Sequence, residues 1–190
     1  ASQYSGENSF ALEAQVLGKY RHANIVGLVG QCLGDAQVEQ FLVYEFMAGG
    51  SLLNRIAAGM SLTAQQRFDV ASDIARGLEY LHTQADPPII HQDVKSDNIL
   101  LCTIDGRLVA KVADFGTARF VPKQALQSHH STRVVIGTTP YQPPEYKGQG
   151  HVSEKTDTYA FGVVLCELLT GKPPSDSGSG EMLAMAMNHD

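Results

Sequence analysis

Long apolar runs, paired cysteines and strong charge of either sign are all missing from this chain. No stretch reaches the ~18–20 residues of a membrane-spanning helix. The best candidate, Tyr159 to Leu169, is shorter and is interrupted by Glu167. That excludes a span within these residues, and no secretory leader is visible. The chain starts at Ala1 rather than Met and stops abruptly at Asp190, as expected of a fragment, which leaves a membrane-anchored parent open. Three cysteines, Cys32, Cys102 and Cys166, stand far apart. None has metal-ligand spacing, and an odd count argues for free thiols in a reducing compartment over a disulfide framework. A net charge of −6 argues against a nucleic-acid-binding surface and is too weak for a disordered acidic tail. No internal repeat is visible. What is present is ordinary: 190 residues, 43% hydrophobic and 18% charged, enough for one domain with a sizeable core.

The pattern along the chain mixes helix and strand. Residues 1–9 are polar and aperiodic, and Phe10, Ala14 and Leu17 then predict a helix over Phe10 to Tyr20, with Glu13 on it. Ile25 to Val29 and Gln40 to Tyr44 read as short buried strands, with a turn at Gly34-Asp35. Ala48-Gly49-Gly50-Ser51 is a flexible break. Thr63 and Gln66 form a capping-box pattern, followed by a predicted apolar helix face of Phe68, Ala71, Ile74, Ala75, Leu78 and Leu81. Pro87-Pro88 ends that region, and Ile89-Ile90, Ile99 to Leu101 and Val109 to Val112 read as strands around loops. Asp157 to Leu169 predicts a second apolar helix, stopped by Gly171, Pro173 and Pro174. Ser175 to Gly180 is a predicted loop, and Glu181 to Met187 the start of a further helix.

Three motifs carry chemistry. His91-Gln92-Asp93-Val94-Lys95-Ser96-Asp97-Asn98 is followed by Asp114-Phe115-Gly116 and then by Pro143-Pro144-Glu145. A carboxylate on a loop between apolar strands, five residues before an Asn, suits orientation of a hydroxyl beside metal ligands. In this order and at these spacings the motifs resemble the catalytic loop, the metal-binding loop and the end of the activation segment of a protein kinase. The whole chain is similar to the receptor-like or Pelle-like serine/threonine group.

That resemblance implies an α+β, two-lobe kinase-like fold. Residues 1–47 would be a partial N-terminal lobe with regulatory helix, two strands and hinge. Residues 48–190 would be a mainly helical C-terminal lobe, truncated at its end. ATP and Mg2+ are implied, with a protein as substrate. Asp93 would accept the substrate hydroxyl proton, Lys95 would offset charge on the transferred phosphate, and Asn98 and Asp114 would hold the metal. The carbonyl of Glu45 and the backbone of Met47 would meet the adenine, with Leu100 against its face and Tyr44 behind. Read alone, Glu45 to Met47 is equally a strand end, and Leu100 a core leucine. Lys95 and Thr138 match the serine/threonine pattern, although a loop hydroxyl such as Thr138 also caps its own backbone. Structural roles are implied for the regulatory-helix Glu13, for His91 stacked with Phe115, Leu17 and Leu28, for Glu145, and for Asp157 capping the catalytic loop. Taken alone, Glu13 reads as a solvated helix residue.

The chain also departs from the family pattern. Gln92 replaces an Arg that usually pairs with a phosphorylated activation segment, and Gln cannot make that bidentate ion pair. Ser128, Ser131 and Thr132 are candidate phosphosites or simply polar loop residues. Pro143 replaces the usual Ala. No G-x-G-x-x-G loop and no Val-Ala-Ile-Lys strand precede Glu13, and the expected partner of Glu145 is missing too. Two functions follow: a protein Ser/Thr kinase whose record starts late, or a non-catalytic kinase-like binding module or truncated remnant. The intact Asp93, Lys95, Asn98 and Asp114 favour the first; the missing strands, which would leave an unpaired edge, favour the second.

Overall fold

The computed structural model describes residues 3–32, 34, 39–121, 130–131, 138–143 and 151–174. The elements run α1 (Gln3–Lys19), β1 (Leu28–Cys32), β2 (Phe41–Tyr44), α2 (Leu52–Ala57), α3 (Ala64–Glu79), β3 (Ile89–Ile90), β4 (Ile99–Ile104), β5 (Arg107–Val112), β6 (Arg119–Phe120), β7 (His130–Ser131), β8 (His151–Val152) and α4 (Glu154–Thr170). The mixture of helices and short two-stranded sheets is the α+β architecture expected.

Helix α1 starts well before Phe10 because Gln, Glu and Ser tolerate a helix; apolar periodicity marks only its buried end, at Val16 and Leu17. Its exit is pinned where the Tyr20 hydroxyl donates to the Asp86 carbonyl at 2.7 Å. The first strand lies later than predicted. Ile25 and Val26 are buried as expected, but they pair with the end of β5: the Val26 amide donates to the Val112 carbonyl and the Val112 amide to that of Asn24, both at 2.9 Å. Gly77 of α3 permits this approach, since a Cβ there would lie 2.8 Å from the Asn24 carbonyl oxygen.

The β1–β2 ribbon is antiparallel, with a bulge between Leu28 and Gly30. The prediction of a buried second strand fails, because Phe41, Val43 and Tyr44 are exposed. Among the described residues this sheet has two strands, and only Leu28 and Leu42 turn into the core. The Gly49-Gly50 break then runs beside β4: the Gly49 amide donates to the Leu101 carbonyl, and the Leu101 amide to that of Gly50, each at 2.8 Å. Ser51 caps α2, a helix that the flexible-break reading missed.

The capping box at the start of α3 forms, with Thr63 and Gln66 bonding each other's amides. Its buried face matches the prediction at Ile74 and Leu78, with Leu81 buried just beyond the helix, but differs elsewhere. Val70, Asp73, Ile74, Gly77 and Leu78 are buried, while Phe68 and Ala75 are exposed. Asp73 belongs inside because Arg107, Arg76 and the Ala110 amide all donate to it. Strands β4 and β5 form a hairpin through Asp105-Gly106, both at positive φ, as a tight twisted turn requires. Helix α4 runs from a Ser153 cap to Gly171 in the left-handed region. One main core joins α1, α3, α4, β4 and β5. Glu145, Ser128, Thr132, the 175–180 loop and the 181–187 helix lie outside the described residues.

Candidate active site

Residues 91–98 cross from β3 to β4 and are held from below by one carboxylate. Asp157, fully buried on the first turn of α4, accepts from the His91 amide at 2.8 Å and the Gln92 amide at 2.9 Å, and bonds His82 Nε2 at 2.8 Å. These bonds hold Gln92 in the left-handed region at φ 69°, a conformation that a non-glycine residue keeps only when its surroundings impose it.

Asp93 is nearly buried, and both its oxygens are engaged. Oδ1 accepts from the Thr138 amide at 3.0 Å and the Thr138 hydroxyl at 2.9 Å. Oδ2 accepts from Lys95 Nζ at 2.6 Å and Asn98 Nδ2 at 3.2 Å. Lys95 also donates to the Thr138 hydroxyl at 3.1 Å. Burial alone would raise the Asp93 pKa, but the bonds and charge of Lys95, with Thr138, outweigh it and hold the carboxyl below its ordinary value. It is therefore an ionised acceptor at neutral pH.

Asp114 is exposed and sits at φ 64°, with its carboxylate accepting from the Gly116 amide at 3.3 Å. The next residue, Phe115, is fully buried, its ring 4.9 Å from that of His91 and inclined by 62°. His91 Nε2 donates to the Ala113 carbonyl at 3.0 Å, while Nδ1 accepts from the Asp93 amide at 3.3 Å, which fixes a neutral tautomer. Leu17 and Leu28 are buried in the same core. The Glu13 carboxylate accepts from the Phe115 amide at 3.3 Å and bonds the Tyr44 hydroxyl. Burial pushes Glu13 up despite those bonds, and burial together with Glu13 pushes the Tyr44 phenol up.

In the segment after β2, the Glu45 amide donates to the Gly27 carbonyl at 2.9 Å. Its carboxylate points away to accept from the Gly27 amide at 2.6 Å and from Lys111 Nζ at 2.7 and 2.8 Å. The Met47 carbonyl accepts from the Gly50 amide at 3.1 Å, and Met47 is buried. Leu100 is half-buried beside Ser51.

The donor set suits Mg2+. Asn98 Nδ2 is bound to the Asp93 carbonyl at 2.8 Å and to its carboxylate at 3.2 Å, which fixes the orientation of the amide, and the Asp114 carboxylate is exposed. Among the described residues no three His, Cys, Asp or Glu gather as a protein-only metal cage. One or two protein oxygens completed by phosphates and water is the usual Mg2+ environment.

Sequence reasoning passed over Ser96, Tyr141 and Glu167. Ser96 Oγ donates to Glu167 Oε1 at 2.7 Å, the Tyr141 hydroxyl meets Oε2 at 3.1 Å, and the two hydroxyls are 3.1 Å apart. The one available signal was a carboxylate inside an apolar helix. Burial pushes the Glu167 carboxyl up to about 7, against the opposing bonds from Ser96 and Tyr141.

A profile of the protein kinase domain matches residues 2–190. The chain is 47% identical over 178 residues to a "Probable leucine-rich repeat receptor-like protein kinase" of Arabidopsis thaliana, covering 92% of this chain and 18% of that protein. It is 43% identical over 192 residues to "Protein BRASSINOSTEROID INSENSITIVE 1" of Arabidopsis thaliana, covering 97% and 15% respectively. It is 42% identical over 177 residues to a "Probable LRR receptor-like serine/threonine-protein kinase" of the same plant, covering 91% and 18%. The chain thus spans less than a fifth of each of these relatives.

Proposed function

The chain belongs to the protein kinase domain family, and from that premise we propose that it transfers the γ-phosphoryl group of ATP to serine or threonine hydroxyls of a protein. The observation that carries this reading is the bonding of Asp93 to both Lys95 and Thr138. A hydroxyl placed at the Asp93 carboxylate is oriented for attack on the γ-phosphorus, ADP leaves, and the proton passes to Asp93. Its low pKa makes Asp93 an orienting acceptor that takes the proton late, since a base that drives early proton removal has a pKa near the working pH. Lys95 lies where it would balance charge on the moving phosphoryl group. Asn98 and Asp114 would hold Mg2+, which supplies charge neutralisation across the phosphates. The backbone of Glu45 and Met47 would meet the adenine, with Leu100 against its face. The segment up to Met47 and that from Ala48 onward would act as small and large lobes.

The ATP requirement and the relatives' names as receptor kinases support placing this domain on the cytoplasmic side of a membrane receptor. Among the described residues no helix is long and apolar enough to cross a membrane. Asp93→Asn in the full-length protein tests the reading. Transfer to a mixed Ser/Thr acceptor should fall at least ~100-fold with melting temperature nearly unchanged; retained transfer would overturn it. Gln92 offers no positive charge to a phosphate, so activity should persist after phosphatase treatment. Loss of activity on dephosphorylation would contradict that.

A further inference from the structure

The Thr138 turn touches the 91–98 loop at two places. At the first, Thr138 itself is bonded to Asp93 and Lys95. At the second, three residues on, Tyr141 meets Ser96 at the Glu167 carboxylate. Ser96 Oγ donates to Oε1 at 2.7 Å, and the Tyr141 hydroxyl donates to Oε2 at 3.1 Å. Each hydroxyl has one hydrogen and spends it on the carboxylate. The 3.1 Å approach of Ser96 Oγ to the Tyr141 oxygen follows from that shared acceptor. Glu167 and Ser96 are fully buried, and Tyr141 nearly so.

The three residues come from separate segments. Ser96 follows Lys95 and stands two residues before Asn98, on the loop that carries Asp93. Tyr141 ends the 3-10 turn Thr139–Tyr141, which Thr138 caps. Glu167 lies on α4, the helix that also carries Asp157.

The turn between the two contacts has little freedom. Pro140 fixes its own φ. The Tyr141 amide donates to the Thr138 carbonyl at 3.0 Å, and the Gln142 amide to that of Thr139 at 3.2 Å. A shift at Tyr141 therefore carries through to Thr138. Opening the Tyr141 contact is costly, because it takes a charge-assisted bond from a carboxylate that water does not reach. Gln92, for its part, offers no positive charge by which a phosphate could order this turn.

We propose that Glu167 is a positioning residue: its carboxylate ties Tyr141 to Ser96 and so keeps Thr138 on Asp93 without a phosphate on the segment. This deepens the kinase reading and rests on it for its consequence in catalysis.

The test is Tyr141→Phe in the full-length, phosphatase-treated protein, a change that removes one oxygen and leaves the ring in the core. The kcat should fall about 10-fold while the KM for MgATP stays within about twofold of wild type. Ser96→Ala should act alike. The double variant should be no worse than the more damaging single one, because both act through one carboxylate. Hydrogen–deuterium exchange of the Thr138 amide should quicken about 10-fold in Tyr141→Phe. The His91 and Gln92 amides, which Asp157 holds, should exchange as before.

A kcat within about twofold of wild type, a KM effect in its place, or losses that multiply in the double variant would overturn the positioning role. So would a Thr138 amide as protected as before, or exchange that quickens equally at His91 and Gln92. Wild-type transfer that vanished on phosphatase treatment would show that a phosphate holds the turn, and would overturn the proposal too. If the wild-type protein transferred no phosphate under any treatment, the kinase reading would fail, while the exchange measurement still decided whether Glu167 holds the turn.

Discussion

Around Asp93, the 91–98 loop, the Thr138 turn and α4 meet through buried polar bonds, and Asp157 and Glu167 anchor the meeting from below. The β1–β2 ribbon is tied in more lightly, by Leu28, Leu42 and the Glu45 carboxylate. On it, Val29 is 71% exposed, Phe41 53% and Val43 44%. The first region gains its order from partners that exist only once the chain is folded. Among the described residues the second is close to an isolated two-stranded hairpin, which is marginal in water. A buried polar network fails as a unit when one member is removed, whereas an exposed ribbon tolerates change residue by residue.

Asp157→Ala should break the first region most severely. It strands the buried amides of His91 and Gln92, and His82 with them, at an expected cost of about 3–5 kcal/mol in urea unfolding; a loss below about 1 kcal/mol would mean the carboxylate is not the anchor. Lys111→Met separates the Glu45 carboxylate from its cation at a partly exposed site. A loss of about 1 kcal/mol is expected, with faster hydrogen exchange at the Gly27 and Glu45 amides and unchanged exchange at His91 and Gln92. Acceleration spreading to His91 would erase the contrast between the regions. Phe41→Lys should change stability by no more than about 0.5 kcal/mol; a larger loss would show that the outer face of the ribbon is covered.

Much of this was legible in the sequence, for reasons that differ by element. The Thr63–Gln66 box and the Gly171 cap were readable because capping is local chemistry. The site loop was readable because His91, Asp93, Lys95 and Asn98 lie within one short stretch. The face of α3 was read correctly at Ile74 and Leu78 and misread in part, because periodicity assumes that apolar residues face inward; Asp73 is inside through Arg107, and Phe68 is outside. Strand β1 was misplaced because Ile25 and Val26 are buried against β5, a pairing across the whole β2–β4 region that no local pattern encodes. Ser96, Tyr141 and Glu167 each look ordinary alone, and only the fold shows that they meet.

The four bonds on Asp93 also bear on selectivity. A carboxylate has about four acceptor positions, and Thr138, Lys95 and Asn98 fill them. If Asp93 orients a substrate hydroxyl as proposed, that hydroxyl would enter by exchange with one of these donors, such as the Thr138 hydroxyl, rather than occupying a waiting position. The resident competitor is intramolecular, with an effective concentration on the order of millimolar or more. A free serine or threonine would lose that competition. On that reading, a hydroxyl delivered by a longer peptide, held by contacts on either side of it, would bring the binding energy needed to win.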